Sequence, residues 1–487
     1  MNCTRRVSIL VLAAAALQAQ SADQPTPFKI GGMTFSGSLR SRLYMWDWFQ
    51  PTTGNNDYQY SGNLLRLGLS QSRDSWDWNA EFAVPFLLGL PNNATGTGPQ
   101  QGALGLGANY FSANAAQNTA MIFPKQLYIR FDGLGGNRAH TLQIGRFEFL
   151  DGSEVAPKNA TLATLKRDRV AQRLIGNFGF SDVGRSFDGI HYAYATPKDN
   201  VTFIAAVPTR GVFQVDGWGW NRIGFGYTSY THEWGSKRHS ADTRFFFIEY
   251  DDFRHILKTD NRALAVRRAD LANIRVETFG GHSLHAVETT AGTFDILVWG
   301  AIQTGRWGAQ SQRAGSFDIE GGLQPKTLAR LKPWIRGGFT YGSGDGNPND
   351  NTHGTFFQLL PTPRPYAKFP FFNMMNTEDR YGILLLRPHK KVTVTSEFHA
   401  IRLTDANDLW YAGGGAYQPW TFGYTGRATS GKRSLGNLYD TGIDYRVTRR
   451  LTLGGYFGYA QGLAAISGIY PAGKDGRFGY LEFLQRF

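Results

Sequence analysis

Seven basic side chains fall on the polar face of segments that alternate apolar and polar residues: Arg40, Arg42, Arg66, Arg130, Lys332, Arg336 and Arg446. The run "TLKRDRVAQRLIGNFGFSDVGRSFDGIHY" adds Lys166, Arg167, Arg169, Arg173 and Arg185, placed to line a mouth or to fold inward. A guanidinium holds a planar carboxylate through two parallel hydrogen bonds, and a low-dielectric wall focuses the field of a column of such groups. The chemistry this implies is passage of carboxylated solutes. The competing reading is bracing, because inward charges must be paired or hydrated. Asp77, Glu81, Asp132, Asp318, Glu320, Asp444 and Glu482 stand on the same faces and could pair with the arginines. For any single arginine bracing is the stronger reading, so solute contact rests on the excess of positive charge as a set.

The elements that would position these residues are strands. In "NLLRLGLS" Leu65, Leu67 and Leu69 share one face, with Arg66, Gly68 and Ser70 on the other. In "SWDWNAEFAV" Trp76, Trp78, Phe82 and Val84 oppose Asp77, Asn79 and Glu81, and in "KQLYIRFD" Leu127, Ile129 and Phe131 oppose Gln126, Tyr128 and Arg130. Period-two alternation is the mark of a strand with two different environments. Eighteen such strands are expected, near 33–48, 58–71, 76–87, 124–132, 139–149, 186–195, 200–208, 221–231, 241–252, 273–289, 293–305, 312–323, 331–342, 379–387, 392–404, 437–447, 450–461 and 476–487.

A soluble sandwich would alternate as well, and connection lengths separate the two readings. Every second connection is a short polar turn, as at Ser72, Thr196, Pro388 and Thr448, while the others include the long loops 88–123, 150–185, 343–378 and 405–436. The expectation is an all-β protein: a transmembrane antiparallel barrel with short periplasmic turns and long extracellular loops. One segment breaks the pattern. In "NRALAVRRADLANIRV" Leu264, Arg267, Arg268, Leu271 and Ile274 recur at helical spacing, which predicts a short loop helix.

Composition agrees. The 487 residues hold 59 Gly and 14% aromatics, and no mature stretch approaches the ~18 apolar residues of a spanning helix. Residues 1–22 read as an export signal, with Arg5 and Arg6 before the apolar run Val7 to Leu17, leaving 23–487 as a single barrel domain. The only cysteine, Cys3, lies in that signal, so the mature chain has neither a disulfide framework nor a thiolate metal site. Formal net charge is +13 and falls by two when Arg5 and Arg6 leave. For an exported chain that excess points to anionic lipid or an anionic solute rather than nucleic acid. The terminal strand "RFGYLEFLQRF" carries Leu481, Phe483 and an aromatic last residue, Phe487, on one face. That ending resembles the signal read by the outer-membrane barrel-assembly machinery.

No catalytic arrangement emerges. "GSGDG" at Gly342 is not a nucleophile elbow, "GLGANY" at Gly105 lacks a dinucleotide frame, and His232, Glu233 and His239 lack zincin spacing. Asp345, Asn347 and Asn349 open like a calcium loop, but the sixth position is Asp350 instead of Gly and the twelfth is Phe356 instead of Glu. A solvated Asn/Asp turn is the plainer reading.

The segments "LQIGRFEFLDGSE", "QRLIGNFGFSDVGRSFDGIHYAY", "KPWIRGGFTYGSGDGNPNDNTHGTFFQLLPTPRPY" and "LTDANDLWYAGGG" resemble the alginate-export outer-membrane porins. The resemblance runs from about Gln143 to Gly415. It implies an eighteen-stranded monomeric barrel whose electropositive constriction passes a polyuronate without a cofactor. Carried over by residue, it points to Arg146, Arg173, Arg185, Asp188, Arg336 and Asp345. Regular alternation puts Arg146 on the lipid face, so a lumen role for it requires a bulge or a rim position. Together these readings predict a bacterial outer-membrane channel, not an enzyme. The expected lumen contacts are Arg40, Arg42, Arg66, Arg130, Arg146, Arg169, Arg173, Arg185, Asp188, Lys332 and Arg336. The alternatives are a porin specific for small carboxylates, or a barrel adhesin whose long loops bind the partner.

Overall fold

The computed structural model describes residues 28–97, 101–236 and 238–487; the signal segment 1–22 lies outside the described residues. Eighteen long strands follow one another around a closed antiparallel barrel. They are β1 (Met33–Asp47), β2 (Asp57–Ser72), β3 (Trp76–Leu88), β4 (Phe123–Asp132), β5 (His140–Phe147) and β6 (Phe187–Ala195). Next come β7 (Asp199–Pro208), β8 (Ile223–Gly235), β9 (His239–Asp252), β10 (Ile274–Glu288), β11 (Gly292–Trp307) and β12 (Ala314–Pro325). The last six are β13 (Trp334–Gly342), β14 (Thr377–His389), β15 (Val392–Leu403), β16 (Ser434–Arg446), β17 (Leu451–Gly462) and β18 (Asp475–Arg486).

β1 pairs with β18 from Ser38↔Arg486 to Asp47↔Arg477, which closes the wall and removes the free edge a membrane would not tolerate. Alternation decides what each face meets. Leu43, Ile144, Ile302, Phe457 and Leu481 are exposed on the outside, whereas Tyr44, Trp46, Trp299 and Tyr480 are buried inside. No described helix is long and apolar enough to cross a membrane.

Two boundaries show local chemistry at work. β13 starts at Trp334 rather than at 331. Pro333 has no N–H for the ladder, and Leu328 and Lys332 take positive φ values of 59° and 43° to form the preceding turn. The expected loop helix exists as Leu264–Ala269 and stops short of Ile274, which opens β10. Helices at Leu106–Asn114, Ala160–Leu165 and Ala464–Ile469 have no counterpart among the periodic segments.

The core lies inside the barrel, where inward loops pack against the inward-facing strand residues. From 148–186 come Leu162, Leu165, Leu174 and Ile175, and from 343–376 come Phe356, Phe357, Leu360 and Met375, each fully buried. The 148–186 loop descends the whole lumen. Near the short-turn end Lys158 Nζ donates to Pro197 O (2.9 Å), Asn159 Nδ2 to Ser240 Oγ (3.2 Å), and Gln324 Nε2 to Thr161 Oγ1 (3.0 Å). Asn159 Oδ1 accepts from Thr161 N and Leu162 N, starting the short helix that turns the chain back. Of the two placements open to this basic run, the structure takes the inward one.

Candidate functional site

The loop climbs back along β9 to β13 through a series of buried ion pairs. Lys166 Nζ meets both carboxylate oxygens of Asp242 at 3.1 Å, and His282 Nε2 reaches the same carboxylate at 2.7 Å. Higher up, Arg169 Nε donates to Glu320 at 2.8 Å, and Arg173 pairs with Asp318 while its Nη2 lies 3.5 Å from Glu320. From the wall Arg336 Nη2 donates to Glu320 at 2.8 Å, and its Nη1 pairs with Asp295. Glu320 therefore stands among three guanidiniums and is 1% exposed. Tyr366 and Tyr381 lie over Arg169 at 5.3 and 5.0 Å, and Trp299 over Arg173 at 5.2 Å.

A second cluster forms against β1 to β4. Arg40 Nη1 donates to Gly179 O at 2.7 Å and Nη2 lies 3.3 Å from Asp182; Arg42 Nε donates to Glu482 at 2.6 Å and Nη1 to Phe180 O at 2.6 Å. Arg66 bridges Glu81 (2.7 Å from Nε) and Glu148 (2.6 Å from Nη2), and Arg130 pairs with Asp77 and Asp132. Six of the seven acids expected inside take part: Asp77, Glu81, Asp132, Asp318, Glu320 and Glu482. The geometry is that of bracing, with each of these arginines engaged by protein groups.

Four expected positions end up elsewhere. Arg185, with no carboxylate partner among the described residues, donates to Gly415 O (3.1 Å) and Pro361 O (2.7 Å), and burial pushes its guanidinium down to about 10. It ties the 148–186 loop to the other inward loops. Arg146 and Asp188 do not face the lumen. They form a bidentate pair, both bonds 2.7 Å, on the outer surface at the top of β5 and β6. Arg146 stands opposite Leu127, which is exposed to the outside, and its guanidinium is capped by Pro124 O and Gly217 O. Gly145 permits this with φ +125°, where a Cβ would stand 2.3 Å from Leu127 O. Lys332 is not on a lumen wall but in the turn before β13, exposed at the short-turn end.

Asp345, Asn347 and Asn349 make successive Asx turns, Asp345 Oδ1 accepting from Asn347 N and Asn347 Oδ1 from Asn349 N, both at 3.1 Å. Among the described residues no group of three or more His, Cys, Asp or Glu is placed to hold a metal.

Several members escaped sequence reading. Asp182 and Asp151 belong to aperiodic loop, where no register assigns a direction, and Glu148 falls in the strand expected at 139–149, which the structure ends at Phe147; burial pushes the Asp151 carboxyl up to about 6 against the pull of Arg244. Asp242 and Arg244 carried a usable signal, since they alternate with Phe245 and Phe247 on β9. Lys368, brought in by the 343–376 loop, lies over Tyr456 at 5.1 Å and faces Asp444, Glu397 and Asp440, whose charge keeps its ammonium above the usual range despite burial.

Water reaches one side of the lumen more than the other. Along β15 to β18 and β1 the inward residues Thr393, Glu397, Asp444, Thr452, Glu482 and Ser36 are exposed or half-buried. At similar depth on β7 to β11, Asn200, Thr202, Asp242 and Asp295 are buried beneath the docked loop.

The barrel is similar to solved outer-membrane proteins. OpdK of Pseudomonas aeruginosa superimposes with a TM-score of 0.54 at 10% identity, over 93% of this chain and 98% of that one. OccAB2 of Acinetobacter baumannii gives 0.56 at 9%, covering 94% and 98%, and a BenF-like porin of Pseudomonas fluorescens Pf-5 gives 0.56 at 8%, covering 94% and 99%. At such identities the likeness is one of fold. A comparison with curated proteins finds no match. With the alginate export family matched over residues 112–461, well over half of its length, the chain belongs to that family as an outer-membrane porin.

Proposed function

We propose that the barrel is a selective channel for carboxylate-bearing solutes, with an alginate-like polyuronate or its oligomers as the first candidate. The observation that carries this reading is the water-accessible polar wall formed by β15 to β18 and β1 inside a closed, externally apolar barrel. It offers a hydrated path past charged groups, along which a solute can move between successive weak sites. The family supplies the polyuronate. Lumen arginines contribute field and shape, since most are held by acids, and the solute would meet the rim cations and the exposed edges of the paired groups. Outer-membrane lipid, lipopolysaccharide and the assembly machinery at Phe487 complete the expected partners, with the barrel acting as a monomer.

A porin for small carboxylates is the second reading, favoured by the 148–186 and 343–376 loops, which occupy much of the lumen. OpdK has been solved with vanillate. Single-channel recording of the refolded protein separates the two. Anion-selective current blocked by an oligouronate but not by neutral maltodextrin of equal length supports the polymer. Block by vanillate with no effect of oligouronate moves the assignment to small acids, and cation selectivity sinks both.

A further inference from the structure

The periplasmic rim is divided by charge. The turn 326–333 carries three Lys or Arg, 387–391 carries three, 446–450 carries three, and Arg486 ends β18; none of these segments contains Asp or Glu. The remaining turns are mixed, with Asp74, Asp132, Asp199 and Glu288 beside Arg73, Arg138, Lys198 and Arg238. The cationic turns are contiguous in space, because β12 to β18 are consecutive in the wall. A cavity of about 180 Å³ opens in this arc, lined by Lys332, Arg387, His389, Lys390, Val392 and Thr393. Arg387 and Thr393 have the inward register of β14 and β15, so the cavity belongs to the mouth rather than to the lipid side. The opposite part of the mouth is occupied by the docked segment around Lys158 and Asn159.

We infer that this arc, with the Lys332–Arg387–Lys390 cavity at its centre, is the periplasmic capture site for the anionic solute. The inference rests on the proposed function and adds a side and a place to it. Asp168 and Arg167 of the docked loop stand within electrostatic range of Arg387, and cations concentrated at a low-dielectric opening raise the local concentration of an anion and steer it inward. A flexible anionic chain arriving from the periplasm therefore meets charge and opening together. The extracellular loops carry exposed cations of their own, among them Arg222, Arg268, Arg313, Lys432 and Lys474, so the contribution of this arc is read from the periplasmic side.

The test is side-resolved block of oriented single channels at low ionic strength. The probes are a short oligouronate and, separately, an oligosulfonate of similar length. In K332E/R387E/K390E, checked for folding by its heat-modifiable gel mobility, the on-rate of both probes from the periplasmic side is expected to fall by ~10-fold or more, with the extracellular on-rate nearly unchanged. The neutral K332Q/R387Q/K390Q falls between, and R73E/R138E/K198E on the mixed turns leaves periplasmic block intact. Loss of oligosulfonate capture where oligouronate never blocks keeps the site and removes the polyuronate reading. Unchanged on-rates, or an equal fall from both sides, overturn the inference. So does a variant that retains block but loses binding to phosphatidylglycerol vesicles, which would assign the arc to lipid.

Discussion

The two sides of the lumen use the same residue types for different ends. Along β9 to β13, Glu320, Asp318, Asp295 and Asp242 are desolvated and matched by cations from the 148–186 loop and from the wall. Along β15 to β18, Glu482 keeps 14% side-chain exposure and Asp444 is exposed. A buried pair costs desolvation of both charges and is lost badly when one partner goes, whereas a hydrated charge tolerates solitude. The first side is therefore a latch for a loop, and the second is the hydrated face that the proposed function assigns to solute.

The sharpest way to break this comparison is to remove one glutamate from each side. E320A strands Arg169 in a dry site and leaves Arg336 with Asp295 alone, and it is expected to cost about 3–5 kcal/mol. E482A leaves Arg42 with Phe180 O and the Tyr480 ring and is expected to cost about 1–2 kcal/mol. Urea unfolding followed by tryptophan fluorescence measures both. E320A should also release the loop, raising unitary conductance and admitting trypsin at Lys166 to Arg173. Equal costs, or a conductance unaffected by E320A, would mean that the loop is not latched by charge.

A third region, the outer rim, sharpens the comparison because its pair resembles the latch in geometry while facing outward. R146A removes two hydrogen bonds to Asp188 and three to the backbone carbonyls of Pro124, Gly217 and Trp218, and is expected to lower stability by about 2 kcal/mol. Anion selectivity should be unaltered, in contrast to any lumen arginine that contacts solute. A change in reversal potential under a salt gradient would return Arg146 to the pore.

The strands were legible because each carries its own direction: once Leu127 and Ile129 are outside, Arg130 must be inside, and by the same rule Arg146 belongs outside. That rule was a better guide to Arg146 than the family resemblance. The Arg66–Glu81 and Arg130–Asp77 braces follow from period two, and the barrel follows from it only together with the alternation of short and long connections. What could not be read is loop packing. Asp182, Arg185 and Lys368 reach their partners through aperiodic chain whose path depends on contacts hundreds of residues apart. Lys332 failed for a local reason, since Pro333 and the positive φ before it ended the strand early.

Docking of the 148–186 loop should also respond to pH. Asp151 is fully buried and its Oδ1 accepts from Leu174 N and Ile175 N at 3.1 and 2.9 Å. Burial raises its carboxyl to about 6 even beside Arg244, so the fold favours the protonated form. A raised pKa contributes stability that is complete below the ordinary carboxylate value near ~4 and disappears as pH rises through about 6. Protease protection of the loop should weaken over that window, and D151N should flatten the dependence while keeping the acceptor for both amides. An unchanged slope in D151N would move the pH response to another group.

The smallest expected effect concerns the rim. Lys332 is exposed in a turn, and K332A should change unfolding free energy by less than about 0.5 kcal/mol. The side chain is nevertheless one of three cations around the mouth cavity. Its loss should shift current–voltage rectification at low salt and fade as ionic strength approaches ~1 M, where screening acts within about 3 Å. Stability and conduction thus separate at the rim and coincide at Glu320. If K332A destabilises the barrel as much as E482A does, the division between latch and solute surface does not extend to the mouth.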